Sequence, residues 1–172
     1  MYTKKQAQTR QQLHNALLTL LETTRFDKIT THQLAIAAGV TRSTFYRYYD
    51  DKYQLLEAIE EATITALVTM PAGPPNAVLL DQILAGYQAQ FQALHALLGP
   101  NGDPAFATRL ERRVHALFYP ETTVPVETAM MQVATTAMWL RVLQYWVFHS
   151  ATTPVSAVKA VTMKLMLLMK QG

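Results

Sequence analysis

The chain has 172 residues, half of them hydrophobic and 16% charged, enough to bury a sizeable core and too apolar for a disordered segment. It holds no cysteine, which excludes disulfides and thiolate zinc sites and suits a reducing cytoplasm. The net charge is +3, but residues 1–53 carry eight Lys or Arg against four acids while the remainder carries seven against eight. The excess positive charge therefore sits at the N-terminal end, as a phosphate-binding footprint requires.

Taken in chain order, the N-terminal ten residues lack the apolar stretch of a signal peptide. Leu13, Leu17, Leu20 and Leu21 then form the apolar stripe of a first helix over roughly Thr9 to Thr24. Phe26 and Ile29 anchor the link to Thr30. Thr30 with Gln33 has capping-box spacing, so a second helix starts there, striped by Leu34, Ala37 and Ala38. Gly39 ends it, because glycine takes the left-handed conformation cheaply. Thr41 is the expected N-cap of a third helix, in which Phe45 and Tyr49 lie four apart and face the core while Arg42, Ser43, Tyr46 and Arg47 project elsewhere. Two helices joined this tightly match the helix-turn-helix. Asp51 and Gln54 repeat the capping-box spacing, so a fourth helix begins there, with Lys52 in its first turn.

That fourth helix is expected to run to about Met70, where Pro71-Ala-Gly-Pro-Pro75 stops it. Further helices follow over about Asn76 to Leu98, Pro104 to Phe118, Val126 to His149 and Val155 to Lys170, the last two started by Pro125 and Pro154. No stretch alternates like a strand. The expected fold is all-α with about eight or nine helices: a three-helix helix-turn-helix domain over residues 1–55 and a helical domain over 56–172. The longest apolar regions are broken by Arg141, Gln144 and Lys164, short of a membrane span. The last two helices are apolar on several sides, through Met130, Val133, Ala137 and Leu140, through Met138, Trp139, Val142, Tyr145 and Trp146, and through Val158, Val161, Leu165, Met166, Leu168 and Met169. Such helices need cover on several sides, and a second copy supplies it.

The run L-A-I-A-A-G-V-T-R-S-T-F-Y-R-Y-Y-D-D-K-Y-Q-L-L closely resembles the N-terminal domain of the TetR family of bacterial transcriptional regulators. The resemblance covers roughly Thr9 to Ile59, with Ile36 standing where the family usually has a polar residue and Tyr48 where histidine is common. It implies a DNA-binding domain over residues 1–55 and an effector-binding and dimerisation domain over 56–172, a cytoplasmic homodimer joined through the last two helices, a double-stranded DNA operator, and release by a small-molecule effector. The family's contact positions, carried onto this chain, imply base contacts for Arg42, Ser43 and Arg47 and phosphate contacts for Thr31, Thr41, Tyr46, Tyr48 and Lys52. They also imply an effector pocket, for which Tyr87, Phe91, His95, Phe106, Met130, Met138 and Tyr145 are the expected lining. Tyr145-Trp146-Val147, followed by Pro154 and a Met-rich last helix, is similar to a TetR subgroup that includes a coactivator of dihydroxyacetone kinase expression. An adaptor or coactivator acting through a protein partner is therefore the alternative function.

Enzymatic chemistry has no footing in the sequence. The five histidines are scattered, and Glu111 with His115 at helical spacing reads as a solvated ion pair rather than a metal site. There is no Gly-rich phosphate loop, nucleophile elbow or cysteine nucleophile. No cofactor is expected.

Overall fold

A computed structural model describes residues 2–68, 77–120 and 123–170, and among them every regular element is helical. The helices are α1 Tyr2–Leu21, α2 Thr31–Ala37, α3 Arg42–Tyr48, α4 Lys52–Val68, α5 Ala77–Ala89, α6 Phe91–Leu98, α7 Phe106–Phe118, α8 Val126–Phe148 and α9 Val155–Lys170, with one 3-10 turn at Phe26–Lys28. The expected stop at Pro71–Pro75, the Asn76 start and the Met70 end lie outside the described residues. So do the side chains of Met166, Leu168 and Met169.

Local chemistry accounts for most boundaries. Thr30 Oγ1 accepts from the Gln33 amide while the Gln33 side chain takes the Thr30 N–H, closing the capping box of α2. Gly39 has φ +66, the one positive φ among the described residues, so a side chain there would strain the turn that α3 follows. Thr41 Oγ1 accepts from the Thr44 amide at 3.1 Å and caps α3. At α4, Asp51 Oδ1 accepts from the Gln54 amide at 2.8 Å, and the Gln54 side chain reaches one residue further back, to the Asp50 N–H at 2.7 Å.

Two boundaries differ from the sequence expectation. Helix α1 begins seven residues earlier than Thr9, because Lys, Gln and Ala are good helix formers that leave no apolar stripe to read. The single helix expected from Asn76 to Leu98 is two, α5 and α6, broken at Gln90. No glycine or proline marks that break. It falls where the chain passes from one compact unit to another.

The first unit comprises Met1–Thr63 and Gln92–Phe106, the second Ile64–Phe91 and Ala107–Gly172. The first thus takes more of α4 than residues 1–55, and it takes most of α6 as well. Its core is built from Leu13, Leu17 and Leu21 of α1, Leu34 of α2, Phe45 of α3, Leu55 and Ile59 of α4, and Leu94 and Leu97 of α6, all nearly or fully buried. Asn101 fastens the turn after α6 into this unit: its side-chain amide donates to the Leu21 carbonyl at 2.9 Å and its carbonyl accepts from the Phe26 amide at 2.8 Å. Gly102 makes that turn possible, since a Cβ there would sit 2.4 Å from the Leu97 carbonyl oxygen.

In the second unit α9 packs against α5 and α8. Leu80, Leu84, Tyr87, Leu110, Leu143 and Trp146 are almost completely buried. Lys159 on α9 pairs with Asp81 on α5 at 2.6 Å, a half-exposed pair that contributes modestly. His115, expected to pair with Glu111, instead bonds Thr136 Oγ1 at 3.1 Å and joins α7 to α8.

Candidate nucleic-acid interface

Helix α3 is short, and its inward face is held by Phe45, which is fully buried, and Tyr49, which is 7% exposed. With those two turned inward, the helical repeat sends Arg42, Ser43, Tyr46 and Arg47 outward, and all four are exposed. Thr41 stands exposed at the helix start, its hydroxyl 2.9 Å from those of both Ser43 and Thr44. The result is a surface of two guanidinium groups and several hydroxyls on one helix.

Tyr46 links this surface to α2. Its hydroxyl lies 3.3 Å from Thr31 Oγ1 and accepts from Arg42 Nη2 at 3.3 Å, and the Arg42 guanidinium sits 5.5 Å from the centre of its ring. The hydrogen bond to Thr31, then that from Arg42, lowers the pKa of its phenol. Thr31, Arg42 and Tyr46 are thereby gathered at one spot, where hydroxyls and a cation suit a phosphate oxygen. Tyr48 is half-buried beneath the Arg10 guanidinium, 5.8 Å from its ring centre. Ile36 projects from α2 with 66% exposure.

Lys52 is placed differently from the other expected phosphate ligands. Its ammonium donates to the carbonyls of Phe26, Asp27 and Ile29 at 2.9, 3.0 and 2.8 Å, which uses all three N–H donors. The same nitrogen lies 4.8 Å from the Phe26 ring centre and 5.4 Å from that of Tyr53. Lys52 therefore ties the 3-10 turn to the start of α4. The sequence shows the lysine and its helix start; the carbonyls lie 23 to 26 residues away, beyond any local pattern. Lys52→Met is expected to lower the stability of the first unit by about 2 kcal/mol. It should leave the salt slope of DNA binding unchanged, whereas loss of a phosphate contact would reduce that slope by about one; denaturant titration and binding at three salt concentrations separate the two.

The residues expected to line an effector pocket are divided. His95 and Phe106 belong to the first unit, His95 facing Glu22 with its ring nitrogen 3.2 Å from the carboxylate and Phe106 fully buried. Met130 and Tyr145 face outward, 68% and 59% exposed, because α8 turns Leu140, Leu143, Trp146 and Val147 to the core instead. Met138 is half-buried. Tyr87 and Phe91 remain, and each meets a tryptophan of α8: Tyr87 edge-on to Trp139 at 6.1 Å, Phe91 edge-on to Trp146 at 4.7 Å. Burial pushes the Tyr87 phenol up to about 12, so it stays protonated. Trp139 and Trp146 stand outside the expected set, and their seven-residue spacing runs against the four-residue spacing of Tyr87 and Phe91.

Among the described residues no group of His, Cys, Asp and Glu is arranged to hold a metal ion, and no helix is long and apolar enough to cross a membrane. Residues 15–59 match the family model described as bacterial regulatory proteins, tetR family. Solved structures of similar fold include a TetR transcriptional regulator from Streptococcus agalactiae 2603V, 22% identical, covering 96% of this chain and 97% of that one with a TM-score of 0.70. The dihydroxyacetone kinase operon activator DhaS is 14% identical, with coverage of 95% and 94% and a TM-score of 0.62. The TetR family repressor AlkX from Dietzia sp. strain DQ12-45-1b is 15% identical, with coverage of 94% and 95% and a TM-score of 0.55. No curated protein sequence matches the chain. Over residues 15–59, then, the chain is similar to the tetR family of bacterial regulatory proteins, and its all-helical fold is similar to that of solved TetR-type regulators.

Proposed function

We propose that this protein is a DNA-binding transcriptional regulator of tetR type, a homodimeric repressor that holds a palindromic operator and is released by a small-molecule effector. The observation that carries the reading is the outward face of α3, with Arg42, Ser43, Tyr46 and Arg47 exposed over a fully buried Phe45. In this reading Arg42, Ser43 and Arg47 read base edges, Arg being suited to bidentate contact with guanine. Thr31, Thr41, Tyr46 and Tyr48 hold phosphates and fix register, and Lys52 keeps the unit in shape behind them. Two copies then present two α3 helices to successive major grooves, about 34 to 36 Å apart.

The dimer rests on a stripe that a single chain leaves uncovered. Val126, Met130, Met131, Val133, Tyr145 and Phe148 of α8 and Val161 of α9 are 40 to 72% exposed, a longer run of apolar side chains than a monomer's surface usually carries. Tyr87 with Trp139 and Phe91 with Trp146 are the part of the effector-binding region that the second unit's packing favours, since flat apolar walls with a phenol and indole N–H suit an organic ligand.

Selection of duplexes from a randomised pool tests the reading. A palindromic site bound by two chains supports it, and Arg47→Ala should then weaken binding by about 1–3 kcal/mol while relaxing preference at one position of each half-site. Failure to enrich any duplex, with dimerisation retained, would favour action through a protein partner instead.

A further inference from the structure

Resting on the DNA-binding reading above, we propose that His14 and Tyr49 form a positioning pair through which α1 sets the angle of the recognition helix. A ring nitrogen of His14 lies 2.8 Å from the Tyr49 hydroxyl, across 35 residues of sequence. Tyr49 is the residue at which α3 ends, with extended backbone at φ −144 and ψ 133, so the bond acts at the joint between α3 and the chain leading into α4. The ring of Tyr49 is buried beside Phe45, 6.1 Å between centres. Phenylalanine would fill that apolar site equally well. The hydroxyl adds only its bond to His14, which packing does not require.

Arg10 reinforces the same joint. It lies one helical turn before His14 on α1, and its guanidinium sits over Tyr48. Consecutive residues at the end of α3 are thus held by consecutive turns of α1. Burial, then the Arg10 charge, lowers the His14 pKa from its ordinary value, and the half-buried imidazole is neutral at neutral pH. Burial also raises the Tyr49 phenol. The pair is therefore a bond between two neutral groups that contributes orientation without adding charge to the DNA-facing side.

The test uses the full chain and a duplex selected by the wild-type protein, at a temperature where circular dichroism shows each variant folded. Tyr49→Phe and His14→Ala should each weaken binding about fivefold, the double variant no further than either single one. His14→Gln, whose amide can still reach the phenol, should recover part of the loss. The slope of log affinity against log salt should not change, since no phosphate contact is removed. Affinity within twofold of wild type for folded Tyr49→Phe and His14→Ala would overturn the proposal, as would a slope smaller by about one, which would make His14 itself a phosphate ligand. A wild-type chain that enriches no duplex would sink the DNA-binding reading itself, a result distinct from either.

Discussion

Phe45→Ala is expected to lower the stability of the first unit by about 4 kcal/mol and to abolish the proposed specific DNA binding at growth temperature. Phe45 is fully buried and stands at the centre of the short recognition helix, its ring edge-on to Tyr46 at 5.5 Å and tilted against Tyr49 at 6.1 Å. Seven residues of helix cannot hold themselves in water. What keeps Arg42 and Arg47 on one outward face is the burial of this ring in the core to which Leu13, Leu17, Leu34 and Leu55 also contribute. Truncation leaves a cavity and releases the helix together. Phe45→Leu, which keeps most of the volume, should cost about 1–1.5 kcal/mol and retain binding. Urea titration followed by helicity, together with affinity for a selected duplex, checks both; a Phe45→Ala protein that binds with wild-type affinity would show that the face does not depend on this anchor.

Val133→Glu is expected to convert the protein to a monomer at micromolar concentration while leaving its helicity intact. Val133 is 56% exposed in the single chain, so a carboxylate there costs the folded subunit little. If a second copy covers α8, the same carboxylate becomes buried without a partner, once from each chain, and the penalty is several kcal/mol per interface. Met130, one turn away and 68% exposed, should respond in the same direction when replaced by Asp. Sedimentation velocity reads the outcome directly. DNA affinity should fall in parallel, because two half-sites bound by unlinked chains lose the benefit of effective concentration. A variant that stays dimeric would place the subunit contact elsewhere.

The helix-turn-helix was legible because its determinants are local. Thr30 with Gln33, Gly39, and Thr41 with Thr44 act within a few residues of themselves, so spacing alone reveals them. The inward pair Phe45 and Tyr49 follows from helical repeat for the same reason. What was not legible depends on partners distant in sequence. Lys52 reads as a cation at a helix start, and only the fold brings three carbonyls to it. The break between α5 and α6 has no Gly or Pro, and it arises from α6 packing with the first unit while α5 packs with the second. On α8, apolar residues on several sides leave the inward face undetermined, and the outward placement of Met130 and Tyr145 is settled by Leu143 and Trp146 filling the core. The His14 to Tyr49 bond spans 35 residues, far outside any motif.

The most direct test of the DNA-reading claim is a selection from randomised duplexes followed by binding of the enriched site at several salt concentrations. The expected result is a palindrome bound by two chains, with affinity falling steeply as salt rises and with Arg42→Ala and Arg47→Ala altering preference at defined positions. Enrichment of no duplex by a folded, dimeric protein would contradict the claim.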